Sequence, residues 1–157
     1  MKKLKEILFK VNIDSVYGDT EINVSKITFD SREVENNTLF VAISGHNYDG
    51  HDYISQSVKN RASVIVCEKL PTNFKESNIV FICVKCSKTA LSIIASNFFD
   101  NPSSKIDLIG VTGTNGKTTI SSLLNNLFNE LQVKSGLIST INIKYGEYIE
   151  NSNNTTP

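Results

Sequence analysis

The run Val111-Thr112-Gly113-Thr114-Asn115-Gly116-Lys117-Thr118-Thr119 packs two glycines, an ammonium group and several hydroxyls into one short stretch. That combination suits charged oxygens. A polyphosphate presents several of them, and the first turn of a helix offers unpaired backbone N–H groups at the positive end of its dipole. Gly113 and Gly116 would let the backbone come close, Lys117 would reach the β- and γ-phosphates, and the Thr118 hydroxyl would sit on Mg²⁺. We read Gly113, Thr114, Asn115, Gly116, Lys117, Thr118 and Thr119 as a loop for a nucleoside triphosphate, ATP first, with Lys117 as its catalytic cation and Thr118 as the metal contact. The spacing departs from the general phosphate-loop pattern, in which the earlier glycine would fall at Val111; here the nearest glycines are Gly110 and Gly113. The competing reading is a plain strand-to-helix turn with a solvated lysine. Its place between an apolar strand and an amphipathic helix favours phosphate.

Three further groups of residues invite chemistry. Asp30-Ser31-Arg32 closes an apolar run, where such a trio by itself more often makes a turn and a solvated ion pair than a ligand site. The segment from Gly45 to His51 is a shaped loop, with Gly45 and Gly50 permitting backbone angles closed to other residues. His46, Asp49, His51 and the adjoining Asp52 are the local histidines and carboxylates, and we read them as a polar turn in which Asp49 bonds local backbone. A structural zinc site usually needs four well-spaced ligands. Cys83 and Cys86 stand in a CxxC with no second pair, at the end of an apolar strand and away from a helix start that would stabilise a thiolate, so they read as packing or surface cysteines.

The elements that must position these residues follow from periodicity. A short helix is expected over 2–9, strands over 24–29 and 39–43, a helix over 51–60, and strands over 62–67 and 79–84. Ser87 can cap a helix carrying Leu91, Ile94, Ala95 and Phe98, which Asn101-Pro102 stops. We place a domain boundary there, giving a first domain of residues 1–101 and a second of 102–157. Next, 105–111 reads as a buried-type strand, and the phosphate loop joins it to a helix with Ile120, Leu123, Leu124, Leu127 and Leu131 along one stripe. A strand at 135–140 would complete a βαβ unit. The fold class expected is α/β: a small N-terminal α/β domain, then the first βαβ part of a phosphate-loop ATPase domain. The remainder, from Asn142 onward, reads as a polar tail.

Composition narrows the function classes. Lys and Arg total 16 against 16 Asp and Glu, so no net positive field exists to hold a nucleic acid backbone. The N-terminal apolar run is broken by Lys5, Glu6 and Lys10, unlike a secretory signal, and no stretch has membrane-spanning length. Three cysteines make a poor disulfide framework. A cytoplasmic location is expected, with neither nucleic acid nor membrane as partner.

With these residues in view, the stretch IGVTGTNGKTT resembles the ATP loop of the Mur ligases of bacterial cell-wall synthesis, in which GTNGKT replaces the general spacing. The resemblance runs over essentially the whole chain. FDSREVENNTLFVAISGHNYDGHDYI is similar to the N-terminal, UDP-binding domain of the MurE-type branch, and the terminal NTTP resembles a substrate-binding motif of its central domain. The resemblance implies that Ser31, His46, Asn47 and Tyr48 contact the uridine end of the substrate, and that Asn154, Thr155 and Thr156 lie near its diphosphate. It implies an ATP-dependent amide ligase: a UDP-N-acetylmuramoyl dipeptide carboxylate takes phosphate from ATP with Mg²⁺, and a free amino acid attacks the acyl phosphate, adding the third residue of the peptide stem. Relatives place a magnesium-binding glutamate, a modified lysine, the adenine contacts and an amino-acid-binding domain beyond the residues matched here, so these residues alone are not expected to turn over. The MurF-type branch shares the DSR and DGH patterns, but its loop usually reads with serine where Thr114 stands. Two further readings stay open: a non-catalytic binding module, and a general nucleotide switch, which would prefer guanine.

Overall fold

Side chains in the first half of the chain alternate between two apolar faces, and a sheet covered on both sides follows from that alternation. The computed structural model describes residues 1–45, 48–72 and 78–152. They divide into two units, the first ending at Ile106 and the second beginning at Asp107. The first unit runs β1 (Lys2–Lys3), α1 (Leu4–Ile7), β2 (Ile13–Tyr17), β3 (Asn23–Val24), β4 (Lys26–Thr28), β5 (Thr38–Val41), α2 (Ile54–Lys59), β6 (Val64–Cys67), β7 (Val80–Val84) and α3 (Ser87–Phe98).

Five of these strands form one sheet in the order β2-β7-β6-β5-β4. From β4 to β7 the pairing is parallel, and β2 lies antiparallel on β7 as an edge. The parallel strands read as apolar runs because both their faces are covered. Leu39, Val41, Val64, Val66, Val80, Ile82 and Val84 pack with Leu4 and Ile7 of α1 and Ala90 and Ile94 of α3. The alternate residues Phe40, Ala42, Ile65, Cys67 and Phe81 pack with Val34 and with Ile54 of α2. Each fully buried Leu, Ile, Val or Phe side chain contributes about 1.5–3 kcal/mol relative to exposure, so these two layers hold the unit together.

The structure departs from the sequence reading at the N-terminus. Lys2 and Lys3 pair with Val24 and Asn23, which shortens the helix expected over 2–9 to α1, and Lys10 turns the chain with a φ of 61°. Strand β2 carried no usable signal. As an edge it leaves Val16 and Tyr17 exposed, so the two-residue alternation is faint.

The second unit contains α4 (Lys117–Glu130), β8 (Gly136–Ile138), β9 (Asn142–Tyr145) and β10 (Tyr148–Asn151). The three strands form an antiparallel meander, with Gly146 taking a φ of 56° in the two-residue turn between β9 and β10. This corrects three expectations. Residues 107–112 adopt no strand, and Leu108 and Ile109 are exposed. Strand β8 pairs antiparallel with β9 rather than parallel across a helical crossover, because a local hairpin closes a far shorter loop. The βαβ unit expected over 105–140 is therefore represented by its loop, helix and second strand, with the first strand unpaired among the described residues. Helix α4 leaves Ile120, Leu123, Leu127 and Leu131 exposed, while Leu124 is half-buried and Asn125 is buried, its side-chain carbonyl accepting from the Ser135 hydroxyl at 3.0 Å.

Candidate functional site

The candidate phosphate loop starts from the backbone. Gly113 has a φ of 151° and Gly116 of 80°, conformations that L side chains rarely adopt, which is why this turn needs glycine at both places. Gly116 stands at the N-cap of α4, and no side chain caps that end. The first helical hydrogen bond of this turn runs from the Ile120 N–H to the Gly116 carbonyl at 2.9 Å. The N–H groups of Lys117, Thr118 and Thr119 come before it in the ladder and belong to the orphan donors of a helix start. Residues 113–117 are all exposed, so the donors stand open to a ligand. The Lys117 ammonium folds back over the loop, donating to the Gly113 carbonyl at 2.5 Å and the Thr114 carbonyl at 3.1 Å. A cation is thus held at the same place as the open amides.

Thr118 is half-buried, and its Oγ1 lies 3.3 Å from Thr140 Oγ1, just past β8. Thr140 was missed by the sequence reading. No local pattern marked it, because Thr140 lies just past β8 in an antiparallel meander. Two hydroxyl oxygens are hard donors of the kind Mg²⁺ accepts, and a magnesium ion usually keeps several waters and shares substrate phosphates instead of demanding an all-protein cage. Among the described residues no cluster of three or more His, Cys, Asp or Glu forms a separate metal centre. The donors present at Thr118 fit a magnesium ion brought in with a nucleotide.

In the first unit, Asp30-Ser31-Arg32 opens a single 3₁₀ turn, Ser31–Glu33. The Asp30 carboxylate caps it, accepting the Arg32 N–H at 2.9 Å, and takes the Arg32 guanidinium through two nitrogens. The Arg32 side chain beside it, first through its hydrogen bonds, holds the Asp30 carboxyl down at about 2. Ser31 is largely buried, and its carbonyl accepts the Asn60 amide from the end of α2 at 3.0 Å. Asn60 is therefore a positioning contact that the sequence did not announce.

Of the loop residues expected at the uridine end, Tyr48 is 75% exposed, and its carbonyl accepts the Gly45 N–H at 2.9 Å. His46, Asn47, Asn154, Thr155 and Thr156 lie outside the described residues. Gly45 and Gly50 are required for a different reason from the one expected. Neither has a positive φ; instead, an added Cβ would meet the Tyr48 carbonyl oxygen at 2.9 Å at Gly45 and the Ile43 nitrogen at 2.6 Å at Gly50. Close backbone approach, not backbone freedom, fixes glycine here.

The loop is tied back to the sheet through His51. Its Nδ1 lies 2.6 Å from an Asp49 carboxylate oxygen, and its Nε2 accepts the Glu68 N–H at 2.9 Å. Glu68 in turn accepts both the Ser87 N–H and the Ser87 hydroxyl at 2.8 Å, capping α3. Cap assignments at α3 thus differ from expectation: Cys86 occupies the N-cap, and Ser87 is the first helical residue. Cys86 accordingly does stand at a helix start, exposed, with hydrogen bonds from Thr89 drawing its thiol below the ordinary range. Cys67, at the end of β6, is buried and its thiol is pushed up to about 12 by that burial.

Among the described residues, no helix is long and apolar enough to cross a membrane. A UDP-N-acetylmuramoyl-L-alanyl-D-glutamate--2,6-diaminopimelate ligase from Cytophaga hutchinsonii is 44% identical over 99% of this chain, and the match spans 32% of that relative. The ligase of the same name from Bacteroides fragilis is 45% identical over 88% of this chain and 28% of the relative. The chain thus spans about a third of the length of the curated relatives it matches. Among solved structures, the MurF ligase of Thermotoga maritima in complex with ADP matches 74% of this chain and 25% of its own, with a TM-score of 0.56 and 32% identity. A UDP-N-acetylmuramoyl-L-alanyl-D-glutamate--2,6-diaminopimelate ligase matches 99% of this chain and 31% of its own at a TM-score of 0.66 and 19% identity, which speaks for the fold. Residues 23–101 match the model of the Mur ligase family, catalytic domain, and residues 111–157 that of the Mur ligase middle domain. The chain therefore belongs to the Mur ligase family.

Proposed function

We propose that this chain supplies the UDP-binding domain, residues 1–101, and the opening of the ATP-binding domain, residues 102–157, of an ATP-dependent amide ligase of peptidoglycan precursor synthesis. The reaction adds the third amino acid to UDP-N-acetylmuramoyl-L-alanyl-D-glutamate in the cytoplasm. A carboxylate is a poor electrophile until its oxide is converted to a better leaving group, and transfer of a phosphoryl group from ATP does this. Gly113 to Thr119 bind the nucleotide phosphates through first-turn amides, and Lys117 stabilises the negative charge of the transferring group. Magnesium, held by Thr118 and the phosphates, would neutralise further charge there. Ser31, His46, Asn47 and Tyr48 receive the uridine end, and Asn154, Thr155 and Thr156 the diphosphate.

The observation that supports this reading best is the uncapped start of α4 with the Lys117 ammonium folded over it. The curated relatives bear the name of this reaction, and Thr114 favours it over the MurF-type addition. The test is calorimetric titration of this chain with UDP-N-acetylmuramoyl dipeptide and, separately, with Mg-ATP, followed by a phosphate-release assay. Binding of both without turnover is expected. Turnover by these residues alone, or preference for GTP over ATP in competition, would overturn the assignment.

A further inference from the structure

We infer that His51 is a positioning residue: as a neutral imidazole with its proton on Nδ1, it ties the neck of the loop, Ser44-Gly45 and Tyr48-Asp49-Gly50, to the end of β6 and thereby holds that neck in place for a uridine-bearing ligand. The ligand part of this inference rests on the proposed function.

The tautomer follows from the partners. A backbone N–H can only donate, so the Nε2 that faces the Glu68 N–H at 2.9 Å must offer a lone pair. A carboxylate can only accept, so the Nδ1 that stands 2.6 Å from Asp49 must carry the hydrogen. One neutral ring satisfies both demands, and the side chain is only 14% exposed, which keeps water from competing. An alanine satisfies neither.

What the ring joins gives it leverage. On one side Asp49 belongs to the neck of the loop: it bridges to Ser44 and accepts the His51 N–H at 3.0 Å, while the Gly50 N–H reaches the Ile43 carbonyl at 2.8 Å. The glycine contacts described above leave no room for a side chain at either end of that neck. On the other side Glu68 follows β6 and caps the start of α3 through Ser87. Loop, sheet and helix therefore meet at one imidazole. Tyr48 and Asp49 are exposed, so the described part of the loop is held chiefly by such polar ties.

The experiment uses this chain and three variants, His51→Ala, His51→Gln and His51→Asn. Nitrogen-15 spectra of the histidine rings should show His51 protonated at Nδ1 and bare at Nε2; the opposite tautomer overturns the inference. In His51→Ala, amide exchange at Gly45 and Gly50 should quicken about tenfold or more, the loss of one hydrogen bond, while the β6 amide of Ile65 keeps its protection. Gln can still accept from the Glu68 N–H and Asn can still donate to Asp49, so each should recover part of the protection. The Kd for UDP should rise about tenfold in the alanine variant and less in the other two. Unchanged exchange at Gly45 and Gly50, or quickened exchange with unchanged UDP affinity, sinks the proposal. If the parent chain binds no UDP, the uridine reading fails, while the tautomer and exchange data still decide whether the ring holds the loop. Should the alanine variant fail to fold, the glutamine and asparagine variants carry the comparison.

Discussion

The Lys117 ammonium donates to the carbonyl of Gly113, at 2.5 Å, from the first residue of the helix that the loop introduces. The loop therefore closes on its own cation. A phosphate arriving at the α4 amides meets that charge already in place, which saves the reorganisation that makes electrostatic stabilisation weak in water. Replacing Lys117 by Ala in a chain of the relatives' full length should lower ligase turnover by roughly 10²–10³-fold, the scale for loss of one preorganised charge contact. Because the side chain is exposed, thermal stability should change by less than about 0.5 kcal/mol. Near-normal turnover in this variant would remove Lys117 from the reaction.

Gly116 separates conformational strain from crowding. An added Cβ would meet nothing closer than the Ile120 Cδ1 at 3.9 Å, yet φ is 80°. Gly116→Ala should thus cost about 1–2 kcal/mol through the backbone alone. Gly110→Ala is the control, since its Cβ would find nothing within 4 Å and its φ is not positive. Denaturant titration of the two variants side by side should show only the first shifted; equal midpoints would mean that the loop does not hold the dihedral seen here.

The parallel strands β5, β6 and β7 and the helix α3 were readable in the residues because burial on both faces writes itself as unbroken apolar runs, and a helix that packs along one side repeats at its own period. The glycine turn into α4 was readable because Gly113 and Gly116 stand where the chain needs positive φ before a helix. Other features depend on contacts that no local pattern encodes. Asn60 reaching Ser31, and Glu68 reaching Ser87, join residues far apart in the chain. The run 105–111 looked like a strand because strand-forming composition does not say whether neighbours exist to receive its hydrogen bonds, and β9 with β10 escaped notice because their residues are mostly exposed and polar.

Ser31 offers a test of the uridine end that does not involve the ATP loop. Its carbonyl is fixed by Asn60, and its hydroxyl is the group proposed to meet the ligand. Ser31→Ala should weaken binding of UDP-N-acetylmuramoyl dipeptide by about 1 kcal/mol, the net worth of one hydrogen bond, and leave Mg-ATP affinity unchanged. Asn60→Ala should weaken the same ligand by letting the turn drift, with an added loss of stability that Ser31→Ala lacks. An unaltered isotherm for Ser31→Ala would take Ser31 out of the site.

Asp30 makes the folded state sensitive to acid in a definite direction. Its carboxyl is lowered from 3.8 to about 2, chiefly by the Arg32 side-chain hydrogen bonds and then by the Arg32 N–H. A carboxyl whose folded value lies below its unfolded one binds its proton more weakly when folded, so it contributes stability that is full above pH 3.8 and is lost as the pH falls through about 2. Arg32 is 84% exposed, so the ion-pair part is screened by salt and small. Asp30→Asn keeps a capping oxygen for the Arg32 N–H but removes the charge. Urea midpoints of the parent and this variant should therefore differ by a constant gap above about pH 5, with the parent ahead, and the gap should narrow between pH 4 and pH 2. Added salt should shrink the gap at neutral pH without abolishing it, because the backbone cap remains in both chains but accepts more strongly when the oxygen is charged. A gap that stayed the same down to pH 2 would show that Asp30 is not the group that titrates.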